Sequence, residues 1–311
     1  MKTRSAFTML ELIFVIVIMG IIGKFGVEFL AQAYKTFIYS SVNNSLQSKS
    51  ATAVEFISSR LEYRIKDSVI ARSGTLAGPG PHVGVGSAND AMNATILEWV
   101  SYDIDGYRST ARANWSGIID LDNIAATTTL LISPDTNTTA ADDFIQIFSY
   151  VASGLGTSTI NDAALYFIGS NSDVTTDYGW NTLPGTPLPD QTGAMHPINA
   201  TATLNQFAPA VTNFAGIDVY EYYKLAWTAY AIVHEDVDAD GNRDLVLCYD
   251  YQPWNGETLT NAKRATIMNN VDTFRFTAIG SILKIQVCTQ SNIIDGDSSG
   301  GYSLCKEKTI F

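Results

Sequence analysis

The sequence predicts an α+β protein: one long N-terminal helix packed on a mostly antiparallel, β-rich head. Three observations carry that prediction. Residues 7–29, FTMLELIFVIVIMGIIGKFGVEF, are apolar almost throughout. Helical spacing then continues to Arg72, with no proline before Pro79. From Ala94 onward, short apolar runs alternate with Thr, Asn, Asp, Ser and Gly clusters, which is the pattern of strands and turns.

The first apolar run is long enough to cross a bilayer, since ~20 residues at ~1.5 Å rise suffice. Lys2 and Arg4 precede it. The positive-inside tendency places that leader in the cytoplasm and the rest of the chain outside. A secretory signal also begins with a basic region, but no small-residue cleavage site follows the apolar run here, so the run is expected to stay with the protein. Inside it stands one early carboxylate, Glu11. An acidic group in a membrane segment is costly, and by default it has a functional partner.

Beyond residue 29, Leu30, Ala33, Phe37, Val42, Leu46, Ala53, Ile57, Leu61, Ile65 and Val69 recur at three- and four-residue steps. A continuous helix over 7–72 would be ~100 Å long, far beyond a globular helix. Its first part is expected in lipid and the remainder docked by its apolar stripe on the head. Gly20, Gly23 and Gly26 are its weak points, read equally as a site of unwinding or as a close helix-packing face.

Gly74 is expected to stop the helix, and GTLAGPGPHVGVGSAND reads as a loop. ATILEWVSYDI, GIIDL, TTLLIS, DFIQIFSYV and AALYFIG read as strands, and 171–209 as a long surface loop. The clearest β pattern follows: YYKLAWTAYAIVHE and LVLCYDY around an acidic turn, then VDTFRFTA and SILKIQVC.

A basic leader, a small residue, then Phe-Thr, two apolar residues, Glu and a long apolar helix resembles the N-terminal signature of type IV prepilins. Type IV pilins and the pseudopilins of type II secretion share it. The resemblance implies four segments: a leader over 1–6, a membrane half of the helix over 7–29, an amphipathic half over 30–72 and an extracytoplasmic head over 73–311. It implies cleavage by prepilin peptidase between Ala6 and Phe7, with N-methylation of Phe7. Ala6 stands where the family usually has Gly. It further implies that Glu11 pairs with the N-terminal amine of a neighbouring subunit, acting as a register pin during filament assembly. Pairing with the chain's own Phe7 amine is the alternative. The implied partners are other pilins or pseudopilins, an inner-membrane assembly platform and the lipid bilayer. The implied location is the bacterial inner membrane, single pass, with the head in the periplasm, and afterwards a filament. Two hairpins with NNVDTFRF before a final strand are similar to the W-like and J-like minor pseudopilins. The expected role is a minor pseudopilin or pilin near a filament tip. A tip adhesin or secreted-substrate recognition subunit on the same scaffold is the other function considered.

The acidic turn DVDADGNRD has the first part of a calcium loop. Asp236, Asp238 and Asp240 would be ligands, Gly241 would make the sharp turn, Asn242 would offer its carbonyl, and Asp244 would bind directly or through water. The bidentate Glu expected at position twelve is missing, for Leu247 stands there. Ca2+ would then draw further oxygens from water, carbonyls or Glu235. A solvated hairpin turn is the plain alternative.

Three cysteines allow three pairings. Cys288 and Cys305 bracket a polar, Gly-rich insert, and a C-terminal disulfide-bounded loop is also similar to many type IV pilins. That pair is expected, with Cys248 a small buried hydrophobe in its strand. A net charge of −12 argues against nucleic acid as a partner. His82, His196 and His234 show no metal-ligand spacing, and no nucleophile or phosphate-loop motif appears, so no enzymatic chemistry is expected. Trp99, Trp115, Trp180, Trp227 and Trp254 fit either a glycan site or a core.

Overall fold

Apolar residues at Ala53, Val54, Ile57 and Leu61 line one side of a helix, α1 (Met9–Leu61), and they are what anchors it to the rest of the chain. The computed structural model describes residues 8–88, 92–109, 112–149, 157–180, 184–237, 239, 241–290 and 303–311. After α1 come β1 (Ile70–Gly74), β2 (Pro79–Gly84), β3 (Ile96–Ser101), α2 (Ile104–Arg108), β4 (Leu131–Ile132), α3 (Thr138–Phe148) and β5 (Ala164–Phe167). Then follow β6 (Met195–Ala200), β7 (Gln206–Pro209), β8 (Tyr223–Ala226), β9 (Thr228–Glu235), β10 (Asp244–Tyr249) and β11 (Lys263–Met268). The chain closes with β12 (Val271–Ile279), β13 (Ile282–Gln290) and β14 (Ser303–Ile310). The protein is therefore α+β, with a long N-terminal helix and a head whose strand pairs are antiparallel.

Among the described residues three sheets build the head: β11-β10-β9-β3-β1-β2, β4-β7-β6-β5-β8 and β12-β13-β14. Strand alternation sorts the side chains into layers. On β3, Leu97 and Trp99 face α1 and the three-stranded sheet, where Phe274, Ile285 and Val287 meet Ile57 and Leu61. Ile96 and Val100 face the other way, toward Tyr178, Trp254 and the five-stranded sheet. The far face of that sheet, with Leu165, Phe167 and Phe207, packs on Ala141 and Ile145 of α3 and on Trp115.

α1 is unbroken through Gly20, Gly23 and Gly26. Its docking begins later than the periodicity suggested: Leu30 and Phe37 remain exposed, and full burial starts at Ser50. It also ends earlier, at Leu61 rather than Arg72. There the Arg64 guanidinium reaches back to the Leu61 carbonyl at 2.7 Å, and the Ile65 amide leaves the helix to bond Val100 at 2.8 Å. Ile70 and Ala71 are buried in succession because β1 is covered on both faces. The amphipathic half thus stops short of residue 72, and the head begins before residue 73.

Six further expectations are corrected. The Gly- and Pro-rich stretch after Gly74 includes β2, and its prolines are tolerated because β2 is an edge strand. DFIQIFSYV belongs largely to α3: Asn137 caps the Ala140 amide at 3.0 Å, and Ala141 and Ile145 share one buried face. GIIDL forms only an isolated bridge, from Ile118 to Tyr222. The expected surface loop over 171–209 contains β6 and β7, and its Tyr178 is fully buried. YYKLAWTAYAIVHE is two strands, not one: around Trp227 the chain passes from the five-stranded to the six-stranded sheet. NNVDTFRF opens a three-stranded unit, with β13 and β14 both following.

Candidate functional site

Glu11 lies in the first turn of α1, at the third position after the N-cap Thr8. Its Oε2 accepts from the Thr8 amide and the Thr8 hydroxyl, both at 3.0 Å, while Thr8 Oγ1 accepts from the Glu11 amide at 3.4 Å. This reciprocal pair is a capping box, and it uses helix-end donors that otherwise lack partners. Glu11 therefore has a local job in addition to any pairing between chains. The expected cleavage and methylation residues, Ala6 and Phe7, lie outside the described residues. From Met9 to Phe37 the large apolar side chains of α1 are exposed, and this helix is long and apolar enough to cross a membrane.

The acidic turn connects β9 to β10. Asp238 and Asp240, two of its expected ligands, lie outside the described residues. Asp236 Oδ2 accepts from the Gly241 amide at 3.0 Å, and Gly241 has the positive φ of 87° that the turn requires. Asp236 Oδ1 is buried without a hydrogen-bond partner among the described residues. Asp244 is drawn into the sheet: it pairs with Glu235 across β9 and β10, and its Oδ1 accepts from the Asn270 amide at 3.2 Å. Asn242 follows Gly241 on a half-buried position. Glu235, considered as a supplementary ligand, accepts from the Leu76 amide through its Oε2 at 2.6 Å. Among the described residues no group of three or more His, Cys, Asp or Glu side chains is arranged to hold a metal.

Cys288 and Cys305 form a disulfide between directly opposed residues of β13 and β14. Closing a loop of that length stabilises the fold by ~3 kcal/mol in the chain-entropy model. Cys248 is a free thiol, fully buried, and burial pushes its pKa up to about 12. All five tryptophans are buried, so they form core rather than an exposed stacking surface. The histidines sit in separate settings. His82 is on the edge strand β2, His196 lies against Phe167 and Phe214, and His234 Nε2 donates to the Val271 carbonyl at 2.9 Å.

Two buried polar centres were not anticipated. On β1 and β3, Arg72 Nε meets Glu98 Oε1 at 2.5 Å, with Glu98 only 1% exposed. Its signal was faint: Glu98 falls on the same strand face as Ile96 and Val100, where alternation predicts an apolar residue. The second is Asp103, which caps α2 through the Gly106 amide at 3.0 Å and accepts from Trp115 Nε1 at 3.2 Å. A Cβ at Gly106 would lie 1.9 Å from Asp103 Oδ2, so only glycine fits there.

Burial raises the Asp103 pKa from 3.8 to about 6, and the hydrogen bond from Gly106 only partly opposes it. Because the folded pKa lies above the unfolded one, this group favours folding fully below pH ~4 and loses that contribution as pH rises through ~6. The total is roughly 3 kcal/mol. Asp103→Asn should therefore gain on the wild type by roughly that amount between pH 4 and pH 7 in urea unfolding. A difference that does not change with pH would contradict this.

No family model, curated protein or solved structure matches the chain.

Proposed function

We propose that the chain is a minor pilin or pseudopilin, anchored in the bacterial inner membrane with its head in the periplasm and assembled into a type II secretion pseudopilus or a type IV pilus. The observation that carries this reading is the division of α1 into two parts. Its exposed apolar part begins at the Thr8–Glu11 capping box, and its last turns are locked into a β head. Such a rod has apolar surface to place beside lipid or similar rods and one carboxylate near its start. The N-terminal signature supplies the rest of the reading: processing by prepilin peptidase, and contacts with other pilins and an assembly platform. A head this large is hard to repeat in a tightly wound shaft, which favours a position at or near the tip.

Mass spectrometry of the protein recovered from membranes tests the processing. The expected first residue is N-methyl-Phe7. A chain that retains residues 1–6 contradicts the proposal.

The acidic turn is read as a Ca2+ loop, supported by the unpartnered Asp236 Oδ1 and by the ligand spacing. Thermal unfolding of the full chain in detergent should show a higher midpoint with Ca2+ than with EGTA. Identical midpoints would make the segment a solvated hairpin turn. With all five tryptophans buried, nothing in the head favours the adhesin reading over the structural one.

A further inference from the structure

Among the described residues, the β12 edge of the three-stranded sheet is unpaired, and the unpaired part has a definite beginning. Cys288 and Cys305 oppose each other with Cα atoms 4.0 Å apart, the close spacing of a non-hydrogen-bonded antiparallel pair. Cys288 therefore turns its backbone groups away from β14 and toward β12, and so do Gln286 and Lys284 at two-residue steps. Their partners on β12 are Thr273, Arg275 and Thr277, which accordingly bond inward. A register shift between Val271 and Thr273 resets the alternation. Phe274, Phe276 and Ala278 then aim their N–H and C=O groups outward.

Val271, at the start of the strand, also faces outward, and there the edge is covered. Its amide donates to the Arg243 carbonyl at 2.7 Å, and its carbonyl accepts from His234 Nε2 at 2.9 Å. Among the described residues β12 has no strand neighbour on this side, and no hydrogen bond reaches the outer edge at Phe274 or Phe276. A groove of about 960 Å3 runs along residues 272–277, bounded by Thr95, His234 and Arg243 and reaching across the sheet to Lys284, Gln286 and Glu307.

The charges lining this groove indicate what fills it. Lys284 is neutralised by Glu307 at 2.9 Å. Arg243 and Arg275 are exposed and have no ion pair among the described residues, against a single remaining carboxylate, Asp272. The groove is thus net cationic on a chain whose overall charge is −12. An exposed strand edge with unmet backbone donors and acceptors is a template for another strand.

We infer that β12 is a docking edge that takes an extended, acidic peptide segment of a partner protein by strand addition beside Phe274 and Phe276, with Arg243 and Arg275 reading its carboxylates. Six residues of edge span ~20 Å at ~3.3 Å each, enough for a short peptide held chiefly by its backbone. The inference stands on the head alone and does not depend on filament assembly.

The test uses the full chain in detergent micelles and two labelled heptapeptides, one alternating threonine with aspartate and one alternating threonine with lysine. The acidic peptide is expected to bind, and the basic one is not. Amide hydrogen exchange should slow at Phe274 and Phe276 on binding. Arg275→Glu, on an exposed position, should weaken binding by about tenfold, while Arg275→Lys keeps it. Absence of binding, equal binding of both peptides, or binding without protection at Phe274 and Phe276 would overturn the inference. So would self-association in sedimentation that Arg275→Glu dissolves, since the occupant would then be a second copy of this chain.

Discussion

Replacing Arg72 with methionine should cost the fold about 3–5 kcal/mol at neutral pH. The reason is Glu98. Its carboxylate is 1% exposed, and burial pushes its pKa up while the Arg72 guanidinium pulls it down. Tyr251 contributes a hydroxyl to Oε2 at 3.3 Å, too little to stabilise a buried charge unaided. Arg72 also donates to the Gly80 carbonyl at 3.1 Å and the Trp180 carbonyl at 3.4 Å, so its loss leaves several groups without a donor at once. In the variant only the Tyr251 hydroxyl still opposes burial, and the folded carboxyl rises further above its unfolded pKa. Its stability should then be greatest in acid and fall as pH rises through the folded value. A second change, Glu98→Leu, should recover most of the loss, because an apolar pair of similar volume removes the stranded charge. Chemical denaturation of the full chain in detergent measures both variants against the wild type. A loss below ~1 kcal/mol for Arg72→Met would mean that water reaches Glu98.

That pair also shows where sequence patterning stops being informative. The rod was legible because a run of apolar residues with one early acid has few alternative meanings. Its end was not, because Ile65 and Val69 extend the helical ladder while also suiting a strand covered on both faces. Only the competing hydrogen bond from Ile65 to Val100 decides, and that bond is a tertiary fact. α3 was misread as a strand for a related reason. DFIQIF has apolar residues at both helical and strand intervals, and the deciding residue was the cap, Asn137, lying upstream of the apolar run. β6 and β7 carry Pro197 and Pro209 and little alternation, so nothing local marked them. The Cys288–Cys305 pair was legible from the polar insert it brackets. The free edge of β12 was not, since the sequence of a strand does not say which neighbours it will lack. Of the acidic turn, the spacing was visible in advance. The diversion of Asp244 to Asn270 and of Glu235 to Leu76 needed the folded sheet.

If the proposed filament role holds, Glu11→Ala should abolish assembly while leaving the head as stable as before. The two effects separate because, among the described residues, the Glu11 carboxylate bonds only to Thr8, at the exposed start of α1, whereas the head is held by residues from Ser50 onward. Loss of the capping box costs the helix end ~1 kcal/mol, which frays its first turn without unfolding anything that packs. That local cost is too small to explain a complete loss of assembly, so the charge must carry the difference. Glu11→Gln isolates it: the amide still presents an oxygen to the Thr8 amide and hydroxyl, but it cannot neutralise a neighbouring amine. If Glu11 pairs with the amino terminus of the next subunit, the Gln variant should fail to assemble as the Ala variant does, although its helix start remains capped. Filaments sheared from cells, compared with the membrane-retained pool, give the readout, and the head's melting midpoint in detergent serves as the control. Normal filaments from Glu11→Gln would reduce Glu11 to a helix cap and leave the rod without a register pin.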